Sequence, residues 1–436
     1  MKNICLFVLA IFMIPSSSFS QENWSQFRGA KGDGTSSYTN LPEEWGNDRN
    51  IKWKIKIPGK GWASPVVWGD KAFIATAYPE AQEEPPTLQG GNRIIPDKDY
   101  RFELYCLNRK TGDILWSQLA YLGKPGIITH TDNTYASETP ATDGKHVYVY
   151  FGMVGLYCFD MDGNKVWEKN LGVYPMEANW GTSSSPILYE DKLIMQFDNE
   201  ENSQVIAMNK MNGEEIWRTK RSEISTWSTP YIWKNKQRTE LVTGGKKKRS
   251  YHPESGNLLW ELDMKGGRDI STPISNEDMI FMCNEARSDG GGILFAVKAG
   301  ATGDISLEPE ESSNAWVAWT LPKSGIAMAS PVLCNGYIYA LERRMGRINC
   351  INAQTGAFAY QKQKLDGAKE FWASPWTNDN LIFCLADTGT THVLQAGPEF
   401  KLVATNKLDD LFWSSAAISD GILILRGVDF IYGIGK

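Results

Sequence analysis

Apolar and polar residues alternate from Leu104 to Trp116 (LYCLNRKTGDILW), break at Thr111-Gly112, then resume and end on a tryptophan four residues after the glycine. Alternation at a period of two predicts β-strand, and the Thr-Gly break predicts a hairpin whose glycine supplies a positive φ. The pattern recurs as LYCFDMDGNKVW to Trp167, VIAMNKMNGEEIW to Trp217 and SYHPESGNLLW to Trp260, while a fifth copy, INCINAQTGAFAY, ends on Tyr360. Upstream, each repeat opens with Ser or Thr before proline: Ser64-Pro65, Thr139-Pro140, Ser185-Pro186, Thr229-Pro230, Thr272-Pro273, Ser330-Pro331 and Ser374-Pro375. From Pro140 the steps are 46, 44, 43, 58 and 44 residues, a spacing typical of four-stranded propeller blades. Proline is tolerated there because the first residue of a strand need not donate to the ladder.

Seven such pairs and Ser415-Ala416 give eight blades. The eighth has strands near Ala416-Ile418, Ile422-Leu425 and Phe430-Gly433 and lacks an outer strand. The alternating stretch Asn50 to Ile57 (NIKWKIKI), with Trp53, is expected to supply it and so remove the free sheet edges. The fold expected is therefore all-β: an eight-bladed β-propeller of four-stranded antiparallel blades, closed by the N-terminal strand. Its outer-strand aromatics Trp53, Trp116, Trp167, Trp217, Trp260 and Tyr360 are expected to wedge between adjacent blades.

The start of the chain reads as a secretory signal peptide over residues 1–20: Lys2, an apolar run from Ile4 to Ile14 too short to span a bilayer, then Ser18-Phe19-Ser20. No cysteine follows the apolar run at a lipid-attachment position. Residues 21–49 form an N-terminal extension whose Gly32-Asp33-Gly34 reads as a surface turn, since it does not lead from strand to helix as a phosphate loop does. Residues 50–436 are expected to form one propeller. No later segment is long and apolar enough to cross a membrane, so a periplasmic or secreted monomer is expected.

The net charge of −6 argues against a nucleic-acid partner, which favours a basic excess. Six cysteines follow the signal segment, and Cys106, Cys158 and Cys350 share one apolar slot of the repeat. Equivalent slots in different blades are poorly placed for bridging, so they read as small core residues. No CxxC or His-x-x-x-His occurs, and no metal site is expected.

Blades that open on Ser-Pro and end in Thr-Gly-x-x-x-Trp resemble the pyrroloquinoline-quinone-like (PQQ-like) repeat family over about residues 50 to 436. The resemblance implies an eight-bladed propeller and two kinds of member. One kind is a quinoprotein alcohol dehydrogenase holding the quinone and calcium in its channel. The other is a scaffold without cofactor, such as the propeller lipoprotein of the outer-membrane barrel-assembly machinery. The chain lacks the adjacent Cys-Cys pair of many dehydrogenases and the lipid-attachment cysteine of the assembly lipoprotein. No calcium ligand or catalytic aspartate matches residue by residue, so the catalytic residues are unknown.

Insertions at Tyr78 to Arg101, Tyr121 to Glu138 and Asn284 to Gly292 are expected on one face, which marks it as the working surface. Another insertion, from Gly300 to Asn314, is expected on the opposite face. Three residues before each strand-opening proline or its equivalent stand Trp62, Ser137, Ser183, Trp227, Ile270, Met328, Trp372 and Trp413. These positions are expected to ring the channel mouth near Glu138, Arg268 and Asp269, with His130 in reach beside Asp132. Such a ring would stack a planar cofactor or a sugar face, or else fill the joints between blades. His146, His252 and His392 read as strand or turn positions. Lys246-Lys247-Lys248-Arg249 and Arg343-Arg344 read as hairpin tips, solvated or forming a basic patch. Two functions follow. The first is a non-catalytic binding or scaffold protein without cofactor, taking a protein or glycan partner on the loop-rich face. The alternative is a PQQ- and calcium-dependent alcohol or sugar dehydrogenase, with Asp269 or Glu138 as the carboxylate nearest the quinone.

Overall fold

A computed structural model describes residues 23–38, 41–81, 98–130, 132–264, 269–284 and 292–436. Eight antiparallel sheets follow one another along the chain, each giving one strand to the channel wall and one to the rim. Seven are continuous in sequence, over 66–123, 141–169, 187–220, 231–263, 274–321, 332–364 and 376–407. Blade one shows the plan: Val66–Trp68, Lys71–Pro79, Tyr100–Asn108 and Ile114–Gly123 run from channel to rim.

The middle strands are covered on both faces by neighbouring blades, so Lys71–Pro79 (KAFIATAYP) reads as almost unbroken apolar chain. The outer strand Ile114–Gly123 keeps an exposed face and alternates. The six described cysteines are free; Cys334 is half-buried and the others are buried, as the shared apolar slot implied for Cys106, Cys158 and Cys350.

The Gly-x-x-x-Trp motif clamps one blade to the next. Trp116 donates its indole N–H to the Met161 carbonyl (3.1 Å), and a methyl group on Gly163 would meet its ring at 3.0 Å. Trp167 does the same on Lys210 and Gly213, Trp217 on Pro253 and Gly256, and Trp319 on Ala353 and Gly356. These glycines are therefore needed twice, for a positive φ and for the ring pressed on their Cα. Trp319 joins the set because blade five places it at the clamp position despite its degenerate repeat.

Two clamps differ from expectation. Trp260 is fully buried and donates within its own blade, to Glu240 Oε2 at 2.7 Å. The turn it should meet is replaced by the 300–314 insertion, whose Gly303–Asp304 pairs alongside Trp260 and Glu261 as a fifth strand of blade four. Tyr360 packs edge-on against Phe400 at 5.7 Å but makes no hydrogen bond through its hydroxyl.

Blade eight contains Ala417–Ser419, Ile422–Arg426 and Ile431–Ile434, and Ile51–Ile55 pairs antiparallel with the last of these. Trp53 then donates to the Arg109 carbonyl of blade one at 2.8 Å and lies over Gly112. Pairing and clamp are those expected for ring closure.

The extension departs from a solvated arm. Trp24 pairs with Val67 of blade one, Ser25 accepts from Thr142 of blade two, and Gln26 accepts from Leu188 of blade three. Arg28 donates to the Pro331 carbonyl of blade six (2.5 Å), and Thr35–Ser36 pairs in parallel with Thr377 and Asn378 of blade seven. Residues 23–36 thus cross beneath the ring, answering inner-strand groups that would otherwise face an open channel. The Gly32-Asp33-Gly34 turn is folded around buried Arg28, with Gly34 N–H bonded to its carbonyl. It does not lie free on the surface.

Candidate functional site

The hydroxyl before each strand-opening proline forms a belt around the channel. Ser64 N–H donates to Thr139 Oγ1 (3.0 Å), Thr139 N–H to Ser185 Oγ (2.9 Å) and Ser185 N–H to Thr229 Oγ1 (3.1 Å). On the other side, Thr272 N–H donates to Ser330 Oγ (2.9 Å), Ser330 N–H to Ser374 Oγ (3.0 Å) and Ser374 N–H to Ser415 Oγ (2.9 Å). Proline explains the arrangement: it fixes the turn into the inner strand and leaves the preceding N–H to reach the next blade.

Above the belt opens a cavity of about 1010 Å³, at the upper end of the usual ligand-pocket range. Seven belt residues form its lower wall, and Phe27 of the N-terminal crossing also lines it. The channel is therefore a cup. All eight positions three residues before the strand-opening prolines line it: Trp62, Ser137, Ser183, Trp227, Ile270, Met328, Trp372 and Trp413.

The tryptophans fall into two groups. Trp413 stacks on Trp62 at 4.8 Å and leans on Trp372 at 6.4 Å, whose face carries the Arg343 guanidinium at 4.4 Å. Across the ring, Trp180 meets Trp227 at 5.5 Å and His130 edge-on at 6.4 Å. Trp227 is buried and donates to the Gly181 carbonyl at 2.7 Å, which makes it a joint residue as well as a wall. Trp62, Trp180, Trp372 and Trp413 are half-buried.

His130 lines the cavity, and its Nδ1 accepts from the Asp132 N–H at 3.0 Å. Glu138 and Asp269 sit behind the wall and do not line it. Glu138 is buried, accepts from the Thr182 hydroxyl through Oε1, and is pushed by desolvation up to about 7. Asp269 is fully buried against the Lys248 ammonium, and burial raises its pKa. Arg268 lies outside the described residues, as do most of the insertions at 78–101 and 284–292.

The run at Lys246–Arg249 is no exposed basic tip. It enters the middle strand Lys247–Tyr251, covered on both faces, and carboxylates neutralise it: Lys247 meets Glu261 at 2.8 Å, and Arg249 meets Glu223 and Glu261. His252 sits in the turn, as expected, its carbonyl accepting from Gly256 N–H. Buried His392 contacts the Asp366 carbonyl at 2.8 Å, and desolvation lowers its pKa.

Sequence reasoning missed Phe27, Trp180 and a cationic wall made by Lys323, Arg343, Arg344, Arg347 and Lys362. Only Arg343-Arg344 gave a signal; the others come from separate turns and strands that share no spacing.

Fold and site together define a repeat propeller with a blind, tryptophan-walled cup. A family model described as "Outer membrane protein assembly factor BamB" matches residues 53–226, the closing strand and the first three blades. Over this span the repeats are of the PQQ-like propeller type. No curated protein matches the chain. Among solved structures, BamB from Moraxella catarrhalis superposes with a TM-score of 0.61 at 10% identity, covering 88% of this chain and 99% of that one. A europium-containing methanol dehydrogenase gives 0.67 at 11% identity, covering 94% and 90%. Quinohemoprotein alcohol dehydrogenase from Comamonas testosteroni gives 0.66 at 10% identity, covering 95% and 81%. At these identities the likeness is one of fold.

A quinone with calcium, the alternative from sequence, requires a set of oxygen donors. The carboxylates lining the cup are Asp132, between blades one and two, and Glu342, in blade six, on opposite sides of the ring. Among the described residues no three His, Cys, Asp or Glu side chains come together to hold a metal ion. The described carboxylates are not gathered into such a set, and no step through a quinone is derived.

Proposed function

We propose that the protein is an exported, non-catalytic binding propeller that takes a protein or glycan partner through the mouth of the cup. The carrying observation is the cup itself: a rigid ring, a floor supplied by Phe27, and a wall dominated by tryptophans and cations. General acid–base chemistry needs a titratable group within hydrogen-bond reach of the reacting atom. The two carboxyls with raised pKa nearest the channel, Glu138 and Asp269, are buried behind the wall. Export rests on the leader-like first 20 residues. No helix among the described residues is long and apolar enough to cross a membrane.

The test is to incubate purified protein with pyrroloquinoline quinone and calcium, then with alcohols or sugars and an acceptor dye. The expected result is no retained quinone absorbance and no dye reduction. Substrate-dependent dye reduction would overturn the reading in favour of the dehydrogenase.

A further inference from the structure

The cup's hydrogen-bonding capacity is biased towards donors. In the six belt links the hydroxyl oxygen accepts a backbone N–H from the neighbouring blade, and no belt hydroxyl finds an acceptor for its own proton among the described residues. Ser64 Oγ is buried with no partner of either kind. A hydroxyl has one proton and two lone pairs, so the lower wall offers O–H donors to whatever fills the cup. Beneath Phe27, Arg28 is buried with Nε and Nη1 unpaired among the described residues, adding positive potential from the floor.

The rim adds charge of the same sense. Lys323, Arg343, Arg344, Arg347 and Lys362 line it against Asp132 and Glu342. Glu370 lies 3.9 Å from Arg343 and 3.8 Å from Arg344, and Glu342 lies 3.8 Å from Arg347. A chain with a net charge of −6 has thus gathered a positive wall in this cavity. Trp413 stands beside that wall, stacked on Trp62, and Trp180 lies across the ring.

The geometry points to an acidic oligosaccharide, carrying carboxylate or sulfate groups, as the ligand of this cup. The inference rests on the binding reading above and narrows it. Sugar rings present apolar faces to indole and acceptor-rich edges to O–H and N–H donors, and their acidic groups would meet the arginine and lysine wall with charge-assisted bonds. A peptide added as an extra strand is recognised through main-chain bonds to an open strand edge. The inner edges here are closed by the belt and, below, by the N-terminal crossing.

The experiment is calorimetric titration of the whole protein with four probes: a galacturonate hexasaccharide, a sulfated heparin hexasaccharide, neutral cellohexaose, and a short poly-glutamate peptide. At least one acidic sugar is expected to bind about tenfold or more tighter than cellohexaose, and to weaken as salt rises from about 50 to about 300 mM. Lys323→Gln with Lys362→Gln, both at exposed positions, is expected to lower that affinity severalfold with no shift in Tm. Trp413→Ala should lower affinity for acidic and neutral sugars alike. Equal binding of cellohexaose, binding that ignores salt and the lysine changes, no binding of any probe, or binding of poly-glutamate alone would each overturn the inference. Dye reduction with alcohols or sugars would instead overturn the earlier reading, so the two failures are distinct.

Discussion

Removing the Trp53 indole tests whether the strand Ile51–Ile55 locks the ring. Trp53 is 6% exposed, so Trp53→Ala returns most of an indole to water. At roughly 150–250 Å² per buried indole and about 25 cal/mol/Å², the transfer is worth about 4–6 kcal/mol. Measured Trp-to-Ala losses run at about 3–5 kcal/mol. Losing the bond to the Arg109 carbonyl adds about 1 kcal/mol, so about 4–6 kcal/mol is expected. At about 2.1 cal/mol/K of unfolding entropy per residue, that lowers Tm by roughly 5 °C for a cooperative chain of this length.

A double-mutant cycle with Gly112→Ala isolates the contact. In the native background the new methyl meets the Trp53 ring at 2.8 Å and φ stands at +78°; in the Trp53→Ala background only the φ penalty of about 1–2 kcal/mol remains. Urea unfolding of the four proteins should therefore show Gly112→Ala costing at least about 1 kcal/mol less when Trp53 is absent. If the two costs agree within about 0.5 kcal/mol, Trp53 does not rest on blade one and the closure argument fails.

Glu138, held near 7 by desolvation, gives a pH signature. Its folded pKa is raised above the unfolded value, so its neutral form stabilises the fold fully below about 4.5, and that contribution is lost as pH rises through about 7. The span is roughly 3 kcal/mol, so Glu138→Gln should raise Tm at pH 8 and leave it nearly unchanged at pH 5, measured by thermal scanning. Deleting residues 23–36, which bury Trp24 and Arg28, should lower Tm by at least as much as Trp53→Ala. A mild effect would mean the crossing segment is dispensable. Trp227→Ala should cost about 3–5 kcal/mol in urea, whereas half-buried Trp413→Ala should cost far less; equal losses would make both plain joint residues. Replacing Ser330 by alanine removes one acceptor of the belt and should cost about 1 kcal/mol, again read in urea.

The repeat itself was legible because a blade is local. Its four strands are joined by short turns, so the alternation, the turn glycine and the clamp tryptophan recur at fixed spacings. Trp53 stood out as an unpaired outer strand because blade eight lacked one. The eight positions ahead of the prolines were legible for the same reason: one register, repeated, puts them all at the mouth. What failed were the inferences about Glu138, Asp269 and the lysine run, which lie outside the period, whereas His130 does line the mouth. Glu138 and Asp269 lie beside mouth positions in sequence, yet neighbouring blades bury them. Lys248 reads as a surface tip until a partner on another blade covers it.

The sequence alone determined the blade plan and the clamps at Trp53, Trp116, Trp167 and Trp217, since both follow from local strand alternation and the conformational demands of glycine and proline. Only the tertiary structure decided that the channel is a cup with a positive wall. Its floor comes from Phe27, in an irregular segment with no repeat to place it, and its cations from turns and strands that the closing of the ring brings together.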